Sequence, residues 1–490
     1  MAARSCRPFL ATGAGAMVLY GCVMGPTYHV PDKALVNSAG AKGAFVEARD
    51  LALTGAPLPP HWWRLYDDRK LDGLVAEALA SNTDLRKATA NLERSRAALH
   101  EAQALRQPGA AVQAGVQHAQ LAGEQYLQPI TPPRNTYYDT ALTVSYDLDL
   151  FGGIRRGIEA AKASDEAVEA ARDLVQVNVV AETARAYADA CGAGLELAAA
   201  NRSLVLQQQS LELTERLRRG GRAMDLDVTR SRQLVDQLTG AIPPLVGARR
   251  NALYRLATLT GRLPSQFDSE LERCEAPPRI VQPLPIEDGA ALLKRRPDIR
   301  EAERYLASAT AEIGVATAQL YPDIQLAVPL GSVGVTRDAF TSPTNYFGVG
   351  AVLSWQANRS AARARIAQAE ASTRLALANF DGVVLTALRD VETALNSYTH
   401  DLKREASTRT ARDDAATVVQ EAQRLQLDGR ATSLDVIDAQ RTLAYAEQTL
   451  AQLESAISDD QVAVFLALGG GWDVAEDHAE VAQAGASGRR

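Results

Sequence analysis

Apolar residues recur at seven-residue intervals over long stretches of the chain. A seven-residue period keeps one narrow apolar stripe facing a neighbouring helix and produces a left-handed supercoil. The segment Gly153–Arg219 contains no proline, and as a single helix it would reach roughly 100 Å. The pattern predicts long paired helices, with a kink or break at Pro243 and Pro244 in the return helix of the first pair. The seven-residue series are Leu85, Leu92 and Leu99, then Leu197, Leu204 and Leu211, and finally Leu443, Leu450, Ile457 and Val464.

Between the helices, four segments alternate apolar residues with polar or small ones. The alternation is strong at residues 137–147 and 346–356, and weaker at 111–119 and 324–330. Polar loops at 121–136 and 331–345 separate the paired segments. Strands of about ten residues with one apolar face suit a membrane β-barrel, although a small soluble sheet with one wet face fits the same alternation. The smallest membrane barrels need about eight strands, so four strands require further chains for closure, and a conducting pore requires at least three chains.

The chain contains an internal repeat. The sequence NTDLRKA at residues 82–88 returns as RPDIREA at 296–302, and GRAMDLDV at 221–228 returns as GRATSLDV at 429–436. Chance similarity between alanine-rich helices does not explain this, because Pro108 matches Pro322 at the first offset and Gly221 matches Gly429 at the second. Each half is therefore predicted to contain a helix, two strands joined by a loop, and a long helical hairpin.

Composition narrows the possible functions. Charged residues make up 23% of the chain and aromatic residues 5%, which suits long helices with narrow apolar stripes. The net charge of −7 argues against nucleic acid as the main partner. The six histidines and four cysteines show no metal-binding or catalytic spacing, so no catalytic residue, metal or cofactor is expected. Cys191 and Cys274 fit either a disulfide or two buried thiols.

The N-terminus has the pattern of a bacterial lipoprotein signal. Arg4 and Arg7 precede a short run of apolar and small residues at 9–21, and Cys22 follows directly. That run is too short to span a bilayer, and it predicts a signal peptide at residues 1–21. Cleavage before Cys22 would leave this cysteine as the site of a covalent lipid, although Tyr20 departs from the small residue usual there. The alternative is an ordinary signal peptide with an incidental cysteine.

Several short motifs, in their order along the chain, resemble the TolC-type outer-membrane factor family. They are GCVMGP at 21–26, DLFGG at 149–153, RRPDI at 295–299, LDVIDAQ at 434–440 and ALGGGW at 467–472. The chain is most similar to the lipoprotein, NodT-like branch, whose members are outer-membrane subunits of resistance-nodulation-division efflux pumps. The resemblance covers roughly residues 20–472.

The resemblance implies a mainly α protein with a small membrane β part, assembled as a homotrimer. Long coiled-coil hairpins would form an α-barrel, and four strands per chain would enter a shared twelve-stranded β-barrel. The expected organisation is a signal peptide at 1–21 and a lipidated N-terminal segment of an equatorial region at 22–60. A first repeat at 61–270, an equatorial linker at 271–287, a second repeat at 288–472 and a disordered tail at 473–490 would follow.

In this family the hairpin turns form the periplasmic end of the tunnel. The second turn matches the family motif, so Leu434, Asp435 and Asp438 are predicted to line the channel aperture. Arg441 lies three residues after Asp438, on the same helix face, and is expected to pair with it. A ring of carboxylates at a narrow axis favours cations. The alternative is that these aspartates only cap a helix. The first turn carries the acidic pair Asp225 and Asp227.

The predicted function is passive export across the outer membrane. A periplasmic adaptor and an inner-membrane pump would deliver small compounds into this duct, which would be lipid-anchored in the outer membrane and extend into the periplasm. Two alternatives are an exit duct for type I protein secretion and a structural coiled-coil lipoprotein with no pore. No sequence feature supports an enzyme.

Overall fold

The structure is a computed structural model, and it describes residues 23–122, 127 and 129–470. The chain is mainly helical, as predicted. The helices are α1 (Ala39–Lys42), α2 (Arg69–Ser81), α3 (Thr83–Ala104), α4 (Gly153–Arg219), α5 (Asp225–Leu259), α6 (Gly289–Arg295), α7 (Pro297–Ala318), α8 (Arg359–Leu427) and α9 (Ser433–Ala467). The strands are β1 (Leu53–Thr54), β2 (Gly109–Ala119), β3 (Asn135–Asp147), β4 (Leu284–Pro285), β5 (Asp323–Val335), β6 (Asn345–Phe347) and β7 (Gly350–Ser354). None of the described helices combines the length and apolar content needed to cross a membrane.

The chain divides into two compact units. Within the described part of the chain, the sheet unit comprises residues 23–29, 96–164 and 306–375, with gaps at 123–126 and 128. The helical unit comprises residues 30–95, 165–305 and 376–470.

The sheet unit contains one antiparallel sheet in the order β2-β3-β5-β6, with β7 also paired to β5. The pairing places Val112, Leu142, Leu330 and Phe347 in one row across four strands. All four side chains are exposed, from 39% at Leu142 to 86% at Phe347. Successive residues of a strand point to opposite faces, so the adjacent row, Gln113, Ala141, Gly331 and Tyr346, lies on the other face, where small and polar residues predominate. The predicted alternation is therefore present in the folded chain.

The strands differ from the predicted ones in two main ways. Strand β5 continues to Val335, so residues 331–335, predicted as loop, belong to the sheet. The single strand predicted at 346–356 is wrong, because Gly348 and Val349 interrupt it between β6 and β7. Opposite the interruption lies Pro329, which has no N–H to donate to the ladder. Its carbonyl still accepts from the Gly348 N–H at 2.9 Å.

The main core of the helical unit is assembled from residues far apart in the chain. Trp62 is 1% exposed and stacks on Phe465 of α9, with 4.7 Å between ring centroids. Ile457 and Val464, two members of the predicted seven-residue series, are fully buried in the same cluster. The short parallel pair β1-β4 closes the edge of this core. Burial of the α9 series confirms that its apolar stripe faces neighbouring elements.

Each long hairpin consists of a very long helix and a shorter return helix. Helices α4 and α8 contain 67 and 69 residues, and α5 and α9 contain 35 each. Helix α5 continues through Pro243 and Pro244, so a break there does not occur. Both prolines are exposed, while Leu234 and Leu253 on either side are buried. Packing of these flanking residues holds the helix together despite the missing backbone hydrogen bonds.

Candidate functional site

The predicted aperture residues lie at the turn between α8 and α9. Gly429, two residues after the end of α8, is in the left-handed conformation, at φ 73°. The Arg430 N–H donates to the Leu425 carbonyl at 2.8 Å, and the Gly429 N–H to the Gln426 carbonyl at 3.0 Å. This is the usual way in which glycine ends a helix, because glycine adopts positive φ without steric cost. The turn is therefore tight, and α9 begins four residues after Gly429.

Asp435 forms a capping box with Thr432 at the start of α9. Its carboxylate accepts hydrogen bonds from the Thr432 N–H and hydroxyl, both at 2.7 Å, and the Asp435 N–H donates to the Thr432 hydroxyl oxygen at 3.3 Å. These bonds to the Thr432 side chain and backbone lower the pKa of Asp435. The Asp435 carboxylate is thus engaged within its own turn, which is the capping role raised as the alternative.

Asp438 and Arg441 form the ion pair expected from their spacing. The Arg441 Nη2 lies 3.0 Å from the Asp438 Oδ1, and the two side chains are 66% and 51% exposed. Leu434 is 38% exposed one turn earlier. The second turn therefore presents one carboxylate, one guanidinium and one apolar side chain towards its surroundings. Their place in a channel aperture stays a prediction.

The first turn engages its two aspartates locally. Asp225 pairs with Arg218 across the turn at 2.8 Å. Asp227 is only 8% exposed, and its carboxylate accepts from the Met224 N–H at 3.0 Å. Met224 stands at the N-cap and has no hydroxyl, so it offers no counterpart to the Thr432 side chain.

A disulfide, one of the two options considered for the cysteine pair, joins Cys191 of α4 to Cys274, with 4.7 Å between the Cα atoms. Cys191 is fully buried in the main core. The bond closes a loop over a sequence separation of 83 residues. It thereby fixes the segment after α5 against α4, a restraint that acts mainly by limiting the unfolded chain.

An acidic cluster in the helical unit was not recognised from the sequence. Burial, followed by the charge and hydrogen bond of Asp189, raises the pKa of Asp459 to about 7. Arg185 and Arg255 lie close by, and Arg255 forms an ion pair with Asp189. Burial and then the charge of Asp401 raise the pKa of the adjacent Asp460 to about 6. In the sequence, this cluster is indicated only by the adjacent aspartates Asp459 and Asp460, which interrupt the apolar stripe of α9.

Cys22, the last two residues of the ALGGGW motif (Gly471 and Trp472) and the tail at 473–490 lie outside the described residues. The described residues contain no group of three or more His, Cys, Asp and Glu side chains able to hold a metal ion.

A family model described as "Outer membrane efflux protein" matches residues 74–262 and 290–470. The chain belongs to the outer membrane efflux protein family. Curated relatives agree with this. The chain is 27% identical to nodulation protein T of Rhizobium leguminosarum bv. trifolii, covering 94% of this chain and 96% of the relative. It is 32% identical to the pyoverdine export outer membrane protein OpmQ of Pseudomonas putida, covering 84% and 88% respectively.

Solved structures show the same fold. The structure of the outer-membrane channel OprN superposes with a TM-score of 0.84 and 34% identity, covering 92% of this chain and all of that one. The protein is thus an outer-membrane efflux channel that extends into the periplasm, as the sequence predicted. Proteins of this family act with a periplasmic adaptor and an inner-membrane pump.

Proposed function

We propose that this outer membrane efflux protein works as a homotrimer and forms a passive duct without catalysing a reaction. The observation that carries the proposal is the sheet with one exposed apolar face. In one chain this sheet ends at β2 on one side and at β6 and β7 on the other. Unpaired strand edges are not tolerated in hydrocarbon. Pairing of β2 with β6 and β7 of a second copy removes these edges. With β6 and β7 counted as one interrupted strand, three copies supply twelve strands, enough for an open lumen.

The apolar row gives the orientation of the sheet in the trimer. Val112 and Phe347 are 78% and 86% exposed in the single chain and have no polar atoms to solvate. Contact with lipid tails removes this area from water. The polar face, which includes Thr143 and Ser145, then lines a water-filled lumen. The helical hairpins of the three copies form an α-barrel, and the second turn with Asp438 forms its aperture.

The duct need not recognise its cargo, because a wide aqueous wall makes few contacts with a passing compound. The relative OpmQ carries pyoverdine in its name; we assign cargo selection in this system to the inner-membrane pump. The adaptor would hold the aperture to the pump.

Planar-bilayer recording with matched strand variants tests the proposal. The purified protein should conduct, and chemical cross-linking should give a trimer. Val144→Arg should lower the free energy of folding in the membrane by roughly 2–4 kcal/mol if the site lies near the midplane. Ser145→Arg, on the lumen face, should assemble and conduct. Equal tolerance of both charges would refute the barrel, and trimers without conductance would refute the duct.

We further propose that Cys22 carries the lipid anchor. The arrangement of Arg4, Arg7 and the apolar run before Cys22 supports this. Labelling with a fatty-acid analogue should disappear in Cys22→Ser, and processing before residue 22 should slow. Labelling that persists in the serine variant would show that the lipid is attached elsewhere.

A further inference from the structure

The residues that follow Cys22 are held on the sheet unit by hydrogen bonds to their backbone. The Met24 N–H donates to the Phe151 carbonyl at 3.2 Å. Arg156, in the first turn of α4, donates to the Met24 carbonyl at 3.0 Å and to the Gly25 carbonyl at 3.1 Å. Two of the short motifs found in the sequence, GCVMGP and DLFGG, therefore meet in the folded chain.

Arg156 is a buried part of this contact. It is only 5% exposed, and its Nη1 lies 2.7 Å from the Glu159 carboxylate, which balances its charge. The N–H groups of a buried guanidinium need acceptors, because a desolvated donor left unpaired costs free energy. The carbonyls of residues 24 and 25 supply them. Lysine is a poor substitute here, since an ammonium lacks the planar fork that reaches two acceptors at once.

The contact is close because glycines stand on its other sides. A Cβ added at Gly314 of α7 would lie 2.9 Å from the Met24 carbonyl oxygen. A Cβ added at Gly152 would lie 2.9 Å from the Val23 Cα, well inside the usual separation of about 3.5–4.0 Å between carbon atoms. Neither position therefore accommodates a side chain unless residues 23–24 move away.

Aromatic side chains lie at the same end of the sheet, where the strands join the long helices. Phe151 stacks on Tyr321, with 4.5 Å between ring centroids, and Tyr321 precedes β5 by two residues. Trp355, directly after β7, donates its indole N–H to the Leu320 carbonyl at 3.2 Å. Tyr321 and Trp355 are 37% and 47% exposed. Partly exposed aromatic rings of this kind line the membrane–water boundary of β-barrels, so this end of the sheet fits the periplasmic boundary.

We propose that residues 23–25 are a docking segment that fixes the lipid of Cys22 beside the Phe151–Tyr321 pair, with Arg156 as its positioning residue. The Cα of Cys22 lies one peptide bond, about 3.8 Å, from that of the first docked residue. No flexible tether separates the lipid from the folded chain, so its acyl chains enter the membrane at one defined place. This inference rests on the lipidation and on the membrane sheet proposed above.

Photo-cross-linking from the anchor tests its position. Cells are supplied with a fatty acid that carries a photoreactive group near its carboxyl end, and the purified protein is irradiated and digested. In the parent, cross-links should fall mainly on the peptides that contain Phe151 and Tyr321. Arg156→Met, which removes the donors, should reduce them several-fold while the label stays on Cys22. Gly157→Ala is the matched control on the same helix, because the space around Gly157 is open.

The outcomes separate this inference from the lipidation itself. Absence of label in the parent would refute lipidation and the docked anchor together. A labelled parent whose cross-links fall elsewhere, or whose pattern is unchanged in Arg156→Met, would overturn the docking and leave lipidation intact.

Hydrogen exchange tests the docking segment without the lipid. The Met24 amide should exchange slowly in the parent, and equally slowly in Cys22→Ser produced with an ordinary signal peptide. Gly314→Ala and Arg156→Met should each raise its exchange rate by about tenfold or more, because each disturbs the segment from a different side. Arg156→Lys should act in the same direction and serves if Arg156→Met fails to fold. Fast exchange at Met24 in the parent, or unchanged exchange in these variants, would overturn the proposal.

Discussion

The two hairpin turns have the same backbone conformation but differ in their side chains. Both contain a glycine at φ 73°, and in both the next N–H donates to a carbonyl five residues earlier at 2.8 Å. Helices α5 and α9 contain 35 residues each and start 208 positions apart, so they align without a gap. Yet Asp438 aligns with Arg230, and Thr432 with Met224. Duplication thus retained the turn geometry, which depends on a few glycines, while the side chains that decide charge and capping diverged.

The return helices diverge in the same way. Pro243 aligns with Ala451, which is 4% exposed, and Asp459 aligns with Asn251. Each of these aligned positions therefore has two different residues in the two repeats of the chain, within the same helical framework. Exchanging residues between the copies therefore shows which differences matter for stability and which for conduction.

The largest effect is expected from moving the proline. Ala451→Pro should lower the free energy of unfolding by about 3 kcal/mol or more, because it removes a backbone hydrogen bond and forces a ring into a buried position. Replacing both Pro243 and Pro244 by alanine should raise stability, by up to about 3 kcal/mol. Thermal unfolding followed by circular dichroism measures both. Ala451→Gly, expected to cost about 1 kcal/mol, is the control for loss of the side chain. Equal effects of proline and glycine at 451 would contradict the comparison.

The second effect concerns the acidic cluster. A carboxyl group whose pKa rises on folding holds its proton more tightly in the folded state, so its contribution is present at low pH and lost as pH rises through the folded pKa. For Asp459, with a pKa near 7, stability should fall between about pH 4 and pH 8.

Asp459→Asn, which copies the first repeat, tests this interpretation. The asparagine should raise stability by about 1–2 kcal/mol at pH 8 and by much less at pH 5, since the buried charge next to Asp189 is removed only where it exists. Melting temperatures of parent and variant over this pH range provide the measurement. If the variant's gain in melting temperature were the same at every pH, the charge of Asp459 would not be its cause.

The third effect is the capping difference. Thr432→Ala should cost about 0.5–2 kcal/mol, because it removes the side-chain half of the capping box with Asp435. Met224→Thr should stabilise the first turn by a similar or smaller amount, since Asp227 already holds the other half. Hydrogen exchange at the first turn of each helix reports the local change. If Met224→Thr leaves exchange unchanged, the two turns differ in more than this side chain.

The smallest energetic effect, and the one closest to function, concerns the exposed ion pair. Loss of such a pair changes stability by only about 0.2–1 kcal/mol. Arg441→Ala should nevertheless raise single-channel conductance by leaving the Asp438 carboxylates uncompensated, and Asp438→Ala should weaken cation selectivity. The aligned changes Gln233→Ala and Arg230→Ala in the first turn are the controls. If all four variants conduct and select like the parent, the constriction lies elsewhere.

Local patterns in the sequence were enough to predict the main helices and strands and much of the geometry of the second hairpin turn. The proline-free segment Gly153–Arg219 is one helix, and the alternating segments form strands with one apolar face. The Asp438–Arg441 pair follows from a spacing of three on one helix. Periodicity and spacing depend on residues close in the chain, which is why they can be interpreted without knowing the neighbours.

Only the tertiary structure decided which distant residues meet. Cys191 and Cys274 form a disulfide and are not two free thiols. Helix α5 is continuous because packing of the residues on both sides of Pro243 and Pro244 outweighs the cost of the missing backbone hydrogen bonds. The tertiary structure also interrupted the last strand opposite Pro329 and brought Asp189 beside Asp459. Each of these outcomes depends on which helix or strand packs against the residue in question. A contact energy depends on both partners, and a local sequence pattern does not specify the distant partner. The partners are determined only when the whole chain packs.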